Sequence, residues 1–156
     1  MQPPDLAELM GRNAMFAHLG EAQRAALGRQ MRWLCLPGGQ YLFKAGEPAE
    51  ALYLLRSGSL GVFDGPTTLL HQLAAGECVG EISLFSGGRH HHAVRALRDS
   101  ELLRLDRAAF EALVERHPRA MLDVARVAML RLLQDERSEA APNQPRTFAI
   151  LPVDAS

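Results

Sequence analysis

Ala51-Leu52-Tyr53-Leu54-Leu55-Arg56-Ser57-Gly58-Ser59-Leu60-Gly61-Val62-Phe63-Asp64-Gly65-Pro66 is the stretch whose reading decides the fold. It holds two short apolar runs, each closed by a turn signal: Ser57-Gly58 after the first and Asp64-Gly65-Pro66 after the second. Upstream, Trp33-Leu34-Cys35-Leu36 ends at Pro37-Gly38-Gly39, and Tyr41-Leu42-Phe43 ends at Ala45-Gly46-Glu47-Pro48. Downstream come Leu69 to Leu73, Cys78-Val79, His91 to Leu97 and Glu101 to Leu105. Short apolar runs at roughly ten-residue spacing, cut by glycine and proline, predict an antiparallel sandwich or barrel.

The flanks have a helical period. Asp5 can cap a short helix bearing Leu6, Leu9 and Met10, and Gly20-Glu21 opens a second one, with Phe16 and Leu19 as an apolar hinge between them. After Leu105, Asp106 caps a helix with Phe110, Leu113 and Val114 that ends near His117. Pro118 suits the first turn of a last helix, where its missing N–H costs little. That helix carries a broad apolar face through Met121, Leu122, Val124, Ala125, Ala128, Met129, Leu132 and Leu133. The chain divides into N-terminal helices (1–30), a β-roll (31–105), C-terminal helices (106–138) and a linker or tail (139–156).

Composition narrows the function classes. Of 156 residues, 47% are hydrophobic and 22% charged, which excludes a disordered chain. Lysine plus arginine number 17 against 18 acids, a net charge of −1, so the chain lacks the cationic surplus of a generic polyanion binder. Lys44 is the only lysine, which reads as codon bias. Cys35 and Cys78 read as small buried hydrophobes in a reducing compartment, a disulfide between them being the alternative. The N-terminus has no signal-peptide pattern, and no apolar run approaches the roughly 18 residues that span a bilayer. A cytoplasmic protein is expected, with no nucleic-acid partner. Neither a Gly-x-Ser-x-Gly elbow nor a phosphate loop is present, so this chain is expected to be non-catalytic.

The order helices, roll, helices, together with Pro37-Gly38-Gly39, Gly46-Glu47, Gly58 and the segment Gly76-Glu77-Cys78-Val79-Gly80-Glu81-Ile82-Ser83-Leu84-Phe85, resembles the cyclic-nucleotide-binding domain family over roughly residues 10–135. The resemblance implies a jelly-roll-like double-stranded β-helix of about eight antiparallel strands. It also implies a phosphate-binding cassette, here residues 76–96. In it Gly80 would let the backbone approach a ligand, and Glu81 would accept a hydrogen bond from a ribose hydroxyl. Ile82, Ser83 and Leu84 would present backbone N–H groups to an anion. The ligand implied is cyclic AMP or cyclic GMP.

One position departs from the family. Its cassette runs on to an arginine, a small residue, alanine, Ser/Thr and valine. Counting back from Val94-Arg95-Ala96, His90 stands at the arginine, His91 and His92 at the next two, and Ala93 at Ser/Thr, with Arg89 one residue early. Alternation along a strand would put His90, His92, Val94 and Ala96 on the lumen face. Three readings stay open: the pocket binds no cyclic nucleotide, Arg89 reaches in, or protonated His90 holds the phosphate weakly. A metal held by His90 and His92 is disfavoured, because no third ligand is obviously placed.

The tail Pro145-Arg146-Thr147-Phe148-Ala149-Ile150-Leu151-Pro152-Val153 is similar to the segment that follows the cyclic-nucleotide-binding-like domain of bacterial patatin-like phospholipases related to neuropathy target esterase. That resemblance implies a regulatory domain with a serine esterase downstream. The alternative is the ligand-sensing part of a catabolite-activator-type transcription regulator; no second amphipathic helix follows Asp135 to read DNA. A homodimer through 118–135 is a further possibility.

Overall fold

The structure, a computed structural model, describes residues 5–13, 16–17, 19–86, 88–119, 122, 125–126, 129–130 and 133. Helix α1 spans Asp5–Arg12 and α2 spans Glu21–Gln30. Gly20 is the N-cap of α2, and its N–H donates to Gln23 Oε1 at 2.8 Å. Phe16 and Leu19, between the helices, are buried. The strands are β1 (Arg32–Leu36), β2 (Tyr41–Phe43), β3 (Ala51–Asp64), β4 (Thr68–Leu73), β5 (Cys78–Val79) and β6 (Ala93–Asp106). Helix α3 (Glu81–Ser86) interrupts them, and α4 (Arg107–Arg116) follows.

All pairings among the described strands are antiparallel. β3 and β6 pair along nearly their whole length, from Ala51 opposite Asp106 to Phe63 opposite Ala93. The register shifts around Ser57 and Ser59, where the pair bends. On one side of the bend β1 joins β6 and β5 joins β3; on the other, β2 joins β6 and β4 joins β3. The result is a roll of two four-stranded layers sharing two continuous strands. Counted by layer, this is the eight-segment jelly roll expected. The two apolar runs either side of Gly58 are thus one bent strand, and Leu97 and Glu101 likewise belong to one strand.

Gly58 explains why the bend falls there. Its φ is +103°, and a Cβ would lie 2.6 Å from Ser100 Cα and 2.7 Å from Asp99 O. Only glycine permits both the conformation and that approach. Ser100, buried opposite, accepts from the Ser59 N–H at 3.1 Å and donates to Arg98 O at 2.8 Å.

Alternation along the strands builds two cores. Phe43, Ala51, Tyr53, Leu55, Leu60, Val62, Leu73, Val79, Val94, Ala96 and Leu102 fill the lumen between the layers. Leu52, Leu54, Cys78, Leu103 and Leu105 face the other way and meet Leu6, Leu9, Met10 and Leu27 of the N-terminal helices and Phe110 and Leu113 of α4. Each buried side chain of this size contributes about 1.5–3 kcal/mol.

Three expectations are corrected. Cys35 is exposed because the β1 register places it opposite Glu101, away from both cores; only Cys78 is buried, and the two form no disulfide. Asp106 is the N-cap residue of α4 but makes no side-chain cap bond. Its carboxylate instead accepts from Arg104 Nε at 2.8 Å and Arg32 Nη2 at 3.1 Å. The His91–Leu97 strand starts only at Ala93. Of the last helix, Pro118, Arg119, Leu122, Met129 and Leu133 are helical; Met121, Val124, Ala128, Leu132 and the tail 139–156 lie outside the described residues.

Candidate functional site

The cassette starts where β5 ends. Gly80 has φ +97°, and a Cβ there would sit 2.9 Å from Ala51 O, so the turn passes directly against β3. This turn brings Glu81 to the first position of α3, fully buried. Ser83 is buried on the same helix and Ile82 is half-buried. The Leu84 side chain joins the helix-side core, and its N–H donates to Gly80 O at 3.2 Å, closing the first turn of α3.

Beyond α3 the chain crosses back to the 46–49 loop. Ala49 N–H donates to Gly88 O, His90 N–H to Glu47 O and Gly46 N–H to His90 O, at 3.2, 2.9 and 2.8 Å. These bonds fix the 88–90 segment and decide which side chain enters the roll. Arg89 does not: it is exposed, and Nη1 donates to Gly46 O at 2.9 Å. His90 does. It is 5% exposed, its ring lies 3.5 Å from the Phe43 ring at an interplanar angle of 7°, and Nδ1 shares a hydrogen bond with Ser83 Oγ at 3.1 Å. His91 is exposed and His92 half-buried.

Neighbours not anticipated from sequence complete the arrangement. Phe43 also meets Tyr53, with ring centroids 6.2 Å apart. Tyr53 Oη accepts from Arg104 Nη1 at 3.0 Å, and Arg104 in turn is tied to Asp106. The sequence offered one signal for these residues: Phe43 and Tyr53 lie in the lumen-facing set of two glycine-punctuated runs. Among the described residues no group of three or more His, Cys, Asp or Glu is placed to hold a metal ion.

A match to the cyclic nucleotide-binding domain model covers residues 34–117, from β1 through the cassette to the end of α4. The chain belongs to that family. It is 27% identical over 137 residues to an uncharacterized NTE family protein of Mycobacterium bovis, covering 88% of this chain and 23% of that protein. It is 30% identical over 141 residues to neuropathy target esterase sws of Drosophila virilis, covering 83% of this chain and 10% of that protein. The chain therefore spans under a quarter of the curated relatives it matches. Among solved structures, the catabolite activator protein of Thermus thermophilus superposes with a TM-score of 0.72 at 27% identity, covering 84% of this chain and 63% of that one. No helix among the described residues is long and apolar enough to cross a membrane.

Within this family fold, the cassette of this chain combines a buried acid with an outward-facing arginine. Glu81 brings a carboxylate into the interior, while the nearby arginine, Arg89, points out. Burial is the leading influence on His90 and pushes its pKa below the ordinary imidazole value; Glu47 and Glu50 pull the other way. A neutral imidazole donates one N–H and carries no charge. Among the described residues, what the arrangement offers a ligand is hydrogen bonding and stacking, without a fixed cation for a phosphodiester.

Proposed function

We propose that this chain is the non-catalytic regulatory domain of a larger NTE-type lipid esterase, and that its cassette does not take cyclic AMP or cyclic GMP at neutral pH. The observation that carries the ligand part is the burial of His90 on Phe43 and Ser83 with Arg89 bonded outward to Gly46 O. A phosphodiester needs a charge-assisted partner, a hydrogen bond of the kind worth about 1.5–3 kcal/mol. Its loss corresponds to roughly one to two decades of affinity. The similarity to NTE family proteins supports the regulatory role. Calorimetry at pH 7.5 with either nucleotide tests the ligand part: no heat of binding is expected. Combining His90→Arg with His91→Ser and Ala93→Thr should restore binding. Micromolar affinity of the unaltered chain, lost in Arg89→Ala, would refute it.

A second reading concerns self-association. Leu122, Met129, Leu130 and Leu133 are 64, 63, 55 and 45% exposed, an apolar stripe at helical spacing. A homodimer through this helix would cover it. Light scattering should give twice the chain mass, and Leu122→Glu with Met129→Glu should give the monomer; a monomer in the unaltered chain removes the idea.

A further inference from the structure

The two layers of the roll treat their cations differently. In the helix-bearing layer every strand arginine is tied to a carboxylate: Arg32 and Arg104 to Asp106, and Arg56 to Glu101. Arg56 and Arg104 also lie over the Trp33 and Tyr53 rings, whereas in the second layer Lys44 and Arg95 rest on rings without a carboxylate partner among the described residues. Lys44 Nζ is 5.2 Å from the Tyr41 centroid, and Arg95 Cζ is 5.8 Å from that centroid and 4.2 Å from that of Phe63. The register puts Tyr41, Arg95 and Gly61 in one outward row, with Phe63 and Leu69 beside them. A Cβ on Gly61 would meet Phe63, Leu69 and Leu97 within 3.1 Å, so these side chains close over the glycine as one apolar floor. The buried helix residues join the opposite core, and on this face Tyr41 and Leu69 are 38 and 45% exposed.

From this face we infer a docking surface for an anionic phospholipid bilayer. Lys44 and Arg95 hold their charged ends over aromatic rings on a face where Lys44 is exposed and Arg95 half-buried, so cation and ring would meet an interface together. Tyr41 supplies an amphipathic ring and Leu69 an aliphatic tip, as interfacial segments do. Arg89, bridged to Pro48, and Arg98, on β6 near the bend, are further exposed cations, and the acids nearest in sequence are Glu47, Asp64 and Asp99. The Glu47 and Asp99 carboxylates accept backbone N–H groups of Lys44 and Gly38. Lys44, Arg89, Arg95 and Arg98 outnumber these three acids, so this face is net positive although the whole chain carries −1. An open sheet face, with its tips exposed, fits a flat lipid surface rather than a peptide strand, which needs an edge or a groove. The inference stands apart from the cyclic-nucleotide reading, since the only cassette residues it uses are Arg89 and Arg95, neither of which joins the lumen core.

The test is sedimentation of the full chain with vesicles of phosphatidylcholine alone and with roughly a third phosphatidylserine, at low and high salt. Binding is expected only to the anionic vesicles and to vanish at high salt. Neutralising Lys44 (Lys44→Ala) should lower the partition coefficient roughly fivefold, and Leu69→Ser should lower it further. Arg95→Gln removes the second charge; because Arg95 covers Phe63, circular dichroism must first show this variant folded, and Lys44→Ala decides where it is not. Equal binding to neutral vesicles, no binding at low salt, or unchanged binding by Lys44→Ala overturns the inference. So does capture on polyglutamate without vesicle binding, which would assign the face to an acidic protein.

Discussion

The imidazole of His90 lies flat on the ring of Phe43, 3.5 Å away and 7° from parallel, inside the roll. Burial is the main reason its pKa falls below the ordinary imidazole value, which favours the neutral ring. The unfolded chain titrates that histidine near 6.5. Above that pH neither state holds the proton, and the stack contributes fully. As pH drops below about 6.5 the unfolded state takes up a proton that the folded state refuses until its own lower pKa is reached, so stability declines. Melting temperature should fall from pH 7 to 5, and His90→Gln should flatten that slope. An unchanged slope would mean that His90 is not buried as a neutral ring. The same shift places any gain in phosphate affinity by protonated His90 at lower pH than a free imidazole would.

Gly58 should be the least replaceable residue of the roll. Gly58→Ala puts a Cβ against backbone atoms of Asp99 and Ser100 and strains a φ of +103°. A loss on the order of 3 kcal/mol is expected, combining backbone strain with overpacking. Gly39, also at positive φ but with open space around it, should lose less on the same change. Urea midpoints of the two variants decide this; equal losses would show that the close approach at Gly58 does not matter.

Tyr53 links the lumen to the charged rim. Burial holds its phenol above the ordinary value near 10, against the pull of Arg104. The folded state therefore ionises later than the unfolded one, and this contribution to stability is lost as pH rises beyond about 10. In a Tyr41→Phe background, absorbance at 295 nm should report Tyr53 ionising above 10. Tyr53→Phe should cost about 0.5–1.5 kcal/mol by removing the bond to Arg104, while Arg104 keeps Asp106.

Much of the architecture was legible because glycine and proline mark the turns and the apolar runs between them have strand length. The cassette was legible through Gly80-Glu81, whose turn the structure places against Ala51 O. What the pattern hid was continuity: Gly58 looks like a terminator, yet it is the bend of a single strand. Register also hid the fate of Cys35, since an edge strand can turn a cysteine outward without changing its apolar neighbours. His90 was placed inward by alternation, and it is inward, but by the backbone bonds of a loop, because β6 starts three residues later. Phe43 as its stacking partner could not be read, since it comes from a strand far away in the chain.

The shared strands have a kinetic consequence. β3 and β6 form one long antiparallel pair whose connection contains β4, β5 and most of the cassette, so pairing that starts at Phe63 and Ala93 closes the shortest loop between these two strands and meets their lowest entropic barrier. Zipping would then run outward to Ala51 and Asp106, and β1 and the helices would dock last. Truncations such as Val62→Ala should slow refolding, whereas Leu105→Ala should mainly speed unfolding, as stopped-flow chevrons would show. The reverse pattern would place the nucleus in the helix-bearing layer.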